Sequence, residues 1–401
     1  MNELKRVLGV PLLLFFGLGN ILGAGIYVLI GKVAGEAGMY APVAFMVASL
    51  VAGFSAFTYS ELSARYPLSA GEAIYIEEGF HLNLLSRLTG LLIALAGMVS
   101  AATISRGFFG YFDVFVQWPE PLVIIAVIVI LGALVIWGIS ESVSMAALLT
   151  VIEICGLMFI IYVGRGALAE VPVNIDLLLP PADGTVAAGI ILGAFLAFFA
   201  FIGFEDMVNV AEEVVNPKRT LPLAILLALL IATLIYAAVS LVAVLSLDLD
   251  RLASSTAPLA DVVAATSTYD PRIIGAISLF AIINGALIQM IMASRIFYGM
   301  ANRGWLWERL AEVNSRTRTP VNATLLVIGI VLTLALWIPL EALAKMTSFL
   351  VLCVFTLVNA ALVMIKRRTP APEGVINIPL WVPVAGALSS GSLILYQVVF
   401  G

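Results

Sequence analysis

Charged residues and metal-binding side chains are scarce in this chain of 401 residues. Only 11% of the residues are Asp, Glu, Lys or Arg, against about a quarter in ordinary soluble domains, and this excludes a water-soluble globule. The single histidine, His81, and the two cysteines, Cys155 and Cys353, have spacings that fit neither a metal centre nor a disulfide framework. The sequence therefore predicts no metal, no cofactor and no enzymatic chemistry, and it contains no basic surface for a nucleic acid.

What the chain has in excess is apolar residues, which make up 62% of it and occur in long runs. A run of about 20 apolar residues spans roughly 30 Å of hydrocarbon as a helix. About eleven such runs are present, at 10–34, 40–64, 86–112, 121–139, 143–165, 185–211, 220–246, 273–301, 321–339, 343–365 and 379–400. They predict an all-α integral membrane protein with about 11 transmembrane helices in contact with lipid.

The orientation of these helices is indicated by the basic residues between them. Loops on one side hold thirteen Lys and Arg residues and loops on the other side hold five. Because cytoplasmic loops carry the excess of basic residues, we expect a protein of the cytoplasmic membrane with its N-terminus in the cytoplasm. Ser69–Leu84 lies on the same side and is either an amphipathic interfacial helix or a polar loop.

Two of the apolar runs contain residues that interrupt a helix. Gly23 and Gly25 lie within the first run, and Gly203 precedes the acidic pair Glu205 and Asp206 in the sixth. Glycine weakens a helix interior, although small residues also let helices pack closely. Five spans separate the breaks, so the second half enters from the opposite face, which predicts a 5+5 inverted repeat with discontinuous helices 1 and 6. The predicted units are a first repeat at 1–166, an external connector at 167–184, a second repeat at 185–368 and an extra C-terminal helix at 369–401.

Broken membrane helices expose backbone groups that can bind a substrate. Freed amides at the start of a half-helix hold an anion without a charged side chain, and freed carbonyls accept from an ammonium group. The predicted anion site consists of Gly23, Ala24 and Gly25, followed by Ile26, and the predicted acceptors are the carbonyls of Ile21, Phe199, Ala200 and Ile202. A carboxylate beside an ammonium group is the shape of an α-amino acid.

Three stretches resemble one transporter superfamily. They are GLGNILGAGIYVLIGK at 17–32, FFAFIGFEDMVNVAEEVVNPKRTLP at 198–222 and SRIFYGMANRG at 294–304. In this order they resemble the amino acid, polyamine and organocation permeases, which have the leucine-transporter-type fold. Members of that superfamily commonly have twelve helices, so the end of this chain departs from their pattern.

The resemblance implies roles for the residues of the sixth run. Phe199 matches the aromatic gate that closes over bound substrate. Glu205 either faces the side-chain end of the pocket, where it selects a cation, or caps the second half-helix. Glu212 and Glu213 either form a salt-bridged gate with Arg65 or Arg295 or mark a solvated helix end.

Glu153 is an ionisable residue in the middle of an apolar span, where such residues are rare and usually functional. In proton-coupled relatives the matching position is often a lysine that donates to first-helix carbonyls, matched here by Gly19 and Leu22. Three roles are open for Glu153: a protonatable coupling group, a sodium ligand, or a neutral acid in a structural hydrogen bond. We predict the first. Asn284 in the eighth run is a further coupling candidate.

These observations together predict a secondary active amino acid transporter that works by alternating access, coupled to H⁺ through Glu153. The alternatives are a transporter of a polyamine or simple amine, and a sodium-coupled or uncoupled amino acid exchanger. A channel would need more intramembrane polar residues than this chain has. A sensor that binds without transporting is not separated from a transporter by sequence, and the sequence indicates no oligomeric state.

Overall fold

A computed structural model describes residues 6–23, 25–68, 71–137, 143–172, 175–370 and 372–401. Within these ranges the chain is helical, and the one β pairing is an isolated parallel bridge between Leu8 and Val214. The helices of the first half are α1 (Val10–Leu22), α2 (Gly25–Ala37), α3 (Ala41–Arg65), α4 (Gly71–Phe80), α5 (Asn83–Asp113), α6 (Glu120–Trp137), α7 (Val143–Val163), α8 (Arg165–Ala169) and α9 (Ile175–Leu178).

The second half continues with α10 (Gly184–Ala197), α11 (Pro217–Ser246), α12 (Leu249–Ser254), α13 (Pro258–Thr266), α14 (Arg272–Asn302), α15 (Val321–Trp337), α16 (Leu340–Arg368) and α17 (Trp381–Phe400). Short 3₁₀-helices cover Gly38–Tyr40, Phe198–Phe201, Glu205–Glu213 and Glu308–Ala311. The most extensive helix–helix contacts are those of α5 with α14 and of α3 with α11. Each of these four helices also contacts the interrupted helices: α11 and α14 contact α1, α3 contacts α2 and α10, and α5 contacts α2.

Eight helical stretches of the described chain are long and apolar enough to cross a membrane. The first, Val10–Arg65, is 56 residues long and contains α1, α2 and α3. Two shorter apolar helices, Ala147–Val163 and Val321–Trp337, lie where the sequence also predicts spans. Apolar side chains such as Trp137 and Trp337 remain exposed on the outer faces of these helices, as expected for contact with lipid. The protein is a multi-pass membrane protein.

The segment Ser69–Leu84 is mostly helical, since it contains α4. Glu72, Tyr75 and Ile76 of α4 are buried, and Arg368 at the end of α16 donates to the Gly79 carbonyl at 3.0 Å. The helix therefore packs against the protein, while Ser69 and Ala70 lie outside the described residues.

A buried cluster of ion pairs connects α3 with the C-terminal part of α16 and with the segment before α17. Glu61 of α3 is fully buried, and its Oε1 accepts from Nε and Nη2 of Arg65 at 2.9 and 2.7 Å. Lys366 donates to both carboxylate oxygens at 2.8 and 2.7 Å, and the amide of Ile378 donates to Oε2 at 2.9 Å. Because a buried charge is stable only when it is paired, this cluster anchors the segment that leads into α17.

Candidate functional site

The first helix break lies between α1 and α2. Helical structure ends at Leu22, Gly23 has φ −45° and ψ −95°, and helix resumes at Gly25. Both glycines are buried, whereas Ala24 lies outside the described residues. The amides at the start of α2 have no partner within that helix, so this end is suited to an anion.

The second break follows α10. The α-helix changes to a 3₁₀ turn at Phe198–Phe201, Ile202 is extended with φ −66° and ψ 136°, and Gly203 has φ +128°. A further 3₁₀-helix then covers Glu205–Glu213. The interruption thus lies at the position where the sequence predicts it.

The two breaks are in direct backbone contact. A Cβ atom added to Gly25 would overlap the Cα atom of Ala200, and one added to Gly203 would lie 2.7 and 2.8 Å from the carbonyl carbon and oxygen of Asn20. Such distances are shorter than side chains tolerate. Glycine is therefore required at both positions for close approach, in addition to its effect on the helix.

Tyr236 of α11 joins the two breaks through its hydroxyl group. The hydroxyl oxygen lies 2.6 Å from the Ile21 carbonyl oxygen and 2.9 Å from that of Ala200. One hydroxyl carries one proton, and each carbonyl oxygen has two lone pairs, so both carbonyls keep capacity for another donor. The sequence does not single out Tyr236, because one tyrosine in the apolar run 220–246 is equally compatible with packing.

A small cavity of about 20 Å³ lies beside the breaks. Its lining unites four predicted site residues with others from α1, α5 and α14: Asn20, Ile21, Gly25, Ser100, Ile104, Phe199, Ile202, Gly285, Ile288 and Gln289. Both polar atoms of the Asn20 side chain are buried and have no hydrogen-bond partner among the described residues. Buried polar atoms without partners are uncommon, so the cavity offers unused donors and acceptors.

Two further predicted site residues lie close to the breaks. Ile26 is buried one residue after Gly25 in α2, and the Phe199 carbonyl accepts from the Ile202 amide at 3.3 Å.

A second cavity, of about 30 Å³, adjoins the first and is acidic. Ser100, Ile202 and Gln289 line both cavities. The second also contains Glu72, Glu205 and Asp206, of which sequence reasoning missed Glu72 because it lies in a different segment. The uncharged polar side chains that line this cavity are those of Tyr59, Ser100, Gln289 and Thr347.

Glu205 lies at the second helix break and borders the acidic cavity. Its side chain lines the acidic cavity, and its Oε2 accepts from the Gly203 amide at 2.8 Å, which caps the break. Tyr59 donates to Oε1 of Glu72 at 3.3 Å. Burial raises the pKa of Glu72 to about 7, although hydrogen bonds from its own backbone and from Tyr59 act in the opposite direction.

The coupling candidates meet on the other side of α1. Glu153 of α7 is fully buried, and Asn284 of α14 donates to its Oε1 at 3.3 Å. Tyr27 of α2 donates to the Glu153 backbone carbonyl at 2.9 Å. A Cβ atom on Gly19 would overlap Oγ1 of Thr150, one turn before Glu153, so α7 packs closely on α1. Leu22 is buried at the end of α1, and its carbonyl and that of Gly19 remain predicted partners for this site. The motif residues Glu141 and Ser142 lie outside the described residues.

The far ends of the two broken helices are also joined. The amides of Val7 and Leu8 donate to the Glu213 carbonyl at 2.9 and 3.0 Å, and the Val215 amide donates to the Leu8 carbonyl at 2.9 Å. Arg65, predicted as a gate partner of Glu212 or Glu213, is bound to Glu61. Arg295 is exposed on α14.

A family of known proteins matches nearly the whole chain. The family described as amino acid permease matches residues 8–401.

Among the described residues, no group of three or more His, Cys, Asp or Glu side chains has the arrangement of a metal site.

Individual relatives carry the names of different transporters. The vacuolar cationic amino acid transporter 2 of Arabidopsis thaliana is 34% identical over 93% of this chain and 61% of its own length. A branched-chain amino acid permease of Bacillus subtilis is 27% identical over 92% of this chain and 83% of its own. A methylthioribose transporter of the same species is 27% identical over 97% and 87%. This chain therefore spans about three fifths of the length of the plant protein.

Proposed function

The chain belongs to the amino acid permease family, whose members are transporters and not enzymes, and from that premise we propose that it is a secondary active amino acid transporter working by alternating access. The observation that carries this proposal is the contact between two interrupted helices beside a buried cavity. Unwound backbone is tolerated within a membrane only where protein or a cavity satisfies it. Discontinuous helices of this kind form the substrate sites of secondary transporters.

The architecture that goes with this function is a set of eleven spans. We count α1 with α2 as the first span and α10 with its 3₁₀ continuation as the sixth, followed by α11, α14, α15, α16 and α17. The repeats are 1–166 and 185–368, with the connector 167–184 and the extra helix within 369–401. The excess of basic residues favours the cytoplasmic membrane with a cytoplasmic N-terminus.

The substrate binds through its α-carboxylate and α-ammonium groups. The carboxylate lies at the amides of Gly23, Ala24 and Gly25, because the start of α2 carries a partial positive charge. The ammonium group donates to the remaining lone pairs of the Ile21 and Ala200 carbonyls, with Phe199 as the gate over the cavity. No charged side chain is needed for either contact.

Ligand stabilisation tests this arrangement. Addition of saturating L-amino acids to the purified protein is expected to raise its melting temperature, and the matching amines without a carboxylate are the control. A ligand at 100 times its Kd stabilises by about 2.7 kcal/mol, and saturable counterflow in liposomes is expected for the same compounds. Stabilisation by amines but by no α-amino acid would contradict the proposal.

That outcome would favour the second candidate function, a transporter of a polyamine or simple amine. The acidic cavity is the observation in its favour, because three carboxyl groups there suit a cation. The predicted anion site at α2 has no role in that case. A carrier of this kind would still use the same helix breaks.

Glu153 is the proposed proton-coupling group. It is fully buried, and Asn284 donates to its Oε1 at 3.3 Å; because burial disfavours the charged form of a carboxyl group, this position suits a group that binds and releases a proton. We expect Glu153→Gln to reduce pH-driven uptake by about tenfold while substrate-driven exchange continues. The measurement is uptake into liposomes under separate pH and sodium gradients, with Thr333→Val on the exposed face of α15 as control. Uptake that ignores pH in both the unaltered protein and the variant would exclude proton coupling, and dependence on sodium would indicate a sodium ligand.

A further inference from the structure

Glu72 of α4 shares the acidic cavity with two other carboxylic side chains. Glu72, Glu205 and Asp206 are only 4%, 8% and 4% exposed. None of the described residues that line this cavity is Lys, Arg or His. A buried carboxylate is stable only when a cation is paired with it, and otherwise the group binds a proton. The cavity therefore needs positive charge that its own walls do not supply.

The groups around the cavity favour a proton as that charge. Oδ2 of Asp206 is buried and has no hydrogen-bond partner among the described residues, so no nearby donor is left over for a further negative charge. The described carboxyl groups also lack the arrangement of a metal site. A proton needs neither a coordination shell nor additional space.

Glu72 lies where α4 meets the second broken helix. A Cβ atom on Gly71 would overlap the side chain of Val208 in the 3₁₀-helix that follows the break, so the start of α4 packs directly on that helix. The Tyr59 hydroxyl of α3 donates to Oε1 of Glu72 at 3.3 Å. Glu77 on the other face of α4 is exposed, so this helix separates the cavity from the aqueous phase on its side of the protein.

Few hydrogen bonds hold α4 in this position. The Ser86 hydroxyl donates to the Ala73 carbonyl at 2.8 Å, and Arg368 donates to the Gly79 carbonyl at 3.0 Å. The helix has only 10 residues, and isolated helices shorter than about 12–15 residues are marginal in water. Because its helical structure depends on packing, α4 is expected to lose that structure whenever it leaves the cavity.

We propose that Glu72 is a proton-binding site, and that its bound proton stabilises the packing of α4 over the acidic cavity. Loss of the proton leaves a buried negative charge beside Glu205 and Asp206, and release of α4 exposes that charge to water. The site is separate from Glu153. It acts without substrate, so it does not depend on the proposed transport function.

The titratable groups that face Glu72 carry no positive charge. They are Tyr59 from α3, Tyr75 from α4 itself, and Glu205 and Asp206 from the 3₁₀-helix, while α5, α14 and α16 contribute uncharged side chains to the cavity. Arg368 of α16 reaches α4 only at Gly79, near the other end of the helix. An ionised Glu72 therefore gains no ion pair in the packed state.

The packing of α4 is expected to weaken as the pH rises. Burial raises the pKa of Glu72 from 4.5 to about 7, although hydrogen bonds from its own backbone and from Tyr59 act in the opposite direction. When α4 leaves, Glu72 enters water and its pKa returns to about 4.5. Between these two values the packed state alone holds the proton, so each pH unit favours release of α4 by up to about tenfold. Above about pH 7 neither state holds it, and no further change is expected.

Hydrogen exchange of α4, measured by mass spectrometry on the purified full chain without substrate, tests the proposal. Glu72→Gln imitates the protonated acid at every pH. The exchange rate of α4 in the unaltered protein, divided by that in the variant at the same pH, is free of the chemical effect of pH on exchange. We expect this ratio to rise by about tenfold or more between pH 5 and pH 7 and then to level off. A ratio that stays constant over this range would overturn the proposal.

Glu77→Gln is the matched control, because it removes the same charge from the exposed face of the same helix. This variant is expected to keep the full pH dependence of the unaltered protein. Loss of the pH dependence in Glu77→Gln would overturn the assignment to Glu72. Exchange that follows the sodium concentration at constant pH would overturn a proton in favour of a metal ion.

Tyr59→Phe tests the site while the acid is still present. The hydrogen bond from Tyr59 lowers the pKa of Glu72, so its removal is expected to move the levelling of the exchange ratio to higher pH. The exchange of the other helices shows whether each variant is folded. A transition at unchanged pH in Tyr59→Phe would overturn its assignment to Glu72.

Discussion

Gly203→Ala is expected to abolish transport. The backbone at Gly203 has φ +128°, where side chains are strained, and a Cβ atom there would lie 2.7 Å from the carbonyl carbon of Asn20. Strain at such a backbone position costs about 1–3 kcal/mol, and an added carbon in a packed interior costs a similar amount. Because the atom in the way belongs to backbone, the two helix breaks must separate to admit it.

The measurement is substrate flux into liposomes together with the melting temperature of the purified variant. Gly329→Ala in α15 is the matched control, since nothing lies within 4 Å of a Cβ atom at that position. The control is expected to keep both properties. Full transport by Gly203→Ala would show that the contact between the breaks is not needed for function.

Tyr236→Phe is expected to damage both stability and substrate affinity. The substitution removes the hydroxyl group that lies 2.6 Å from the Ile21 carbonyl oxygen and 2.9 Å from the Ala200 carbonyl oxygen. A buried acceptor left without a donor costs about 1–3 kcal/mol. Because the same carbonyls are the proposed acceptors for the substrate ammonium group, we expect substrate affinity to fall by about tenfold.

Thermal unfolding and ligand titration of the purified protein measure the two effects. Tyr269→Phe is the control, because this tyrosine is 48% exposed and its hydroxyl is not between the helix breaks. A variant Tyr236→Phe with unchanged melting temperature and unchanged affinity would mean that the carbonyls are satisfied in another way. It would also remove Tyr236 from the substrate site.

The sequence predicts those parts of the site that interrupt a local pattern. Gly23, Gly25 and Gly203 weaken apolar helices, and Glu153 and Glu205 are charges within apolar runs, so each can be recognised from its own neighbours. The resemblance to a permease superfamily, confirmed by the family match, adds the gate residue Phe199 as a prediction.

Residues that act through distant partners cannot be recognised in this way. Tyr236 lies 215 residues from Ile21, and an isolated tyrosine in an apolar run is as compatible with packing as with a bond to two broken helices. Glu72 reaches the acidic cavity only because α4 folds against α16. Glu61 pairs with Lys366 across 305 residues, and no local spacing encodes that pair.

The bridge between Leu8 and Val214 connects the start of the first broken helix with the end of the second. Three main-chain hydrogen bonds make this joint, at about 1 kcal/mol each. A movement that tilts one of the two broken helices must therefore move the other helix with it or break these three hydrogen bonds. The total strength of the three bonds is comparable to the few kcal/mol by which conformers of a protein commonly differ. The connection can therefore hold in one conformation and be broken in another.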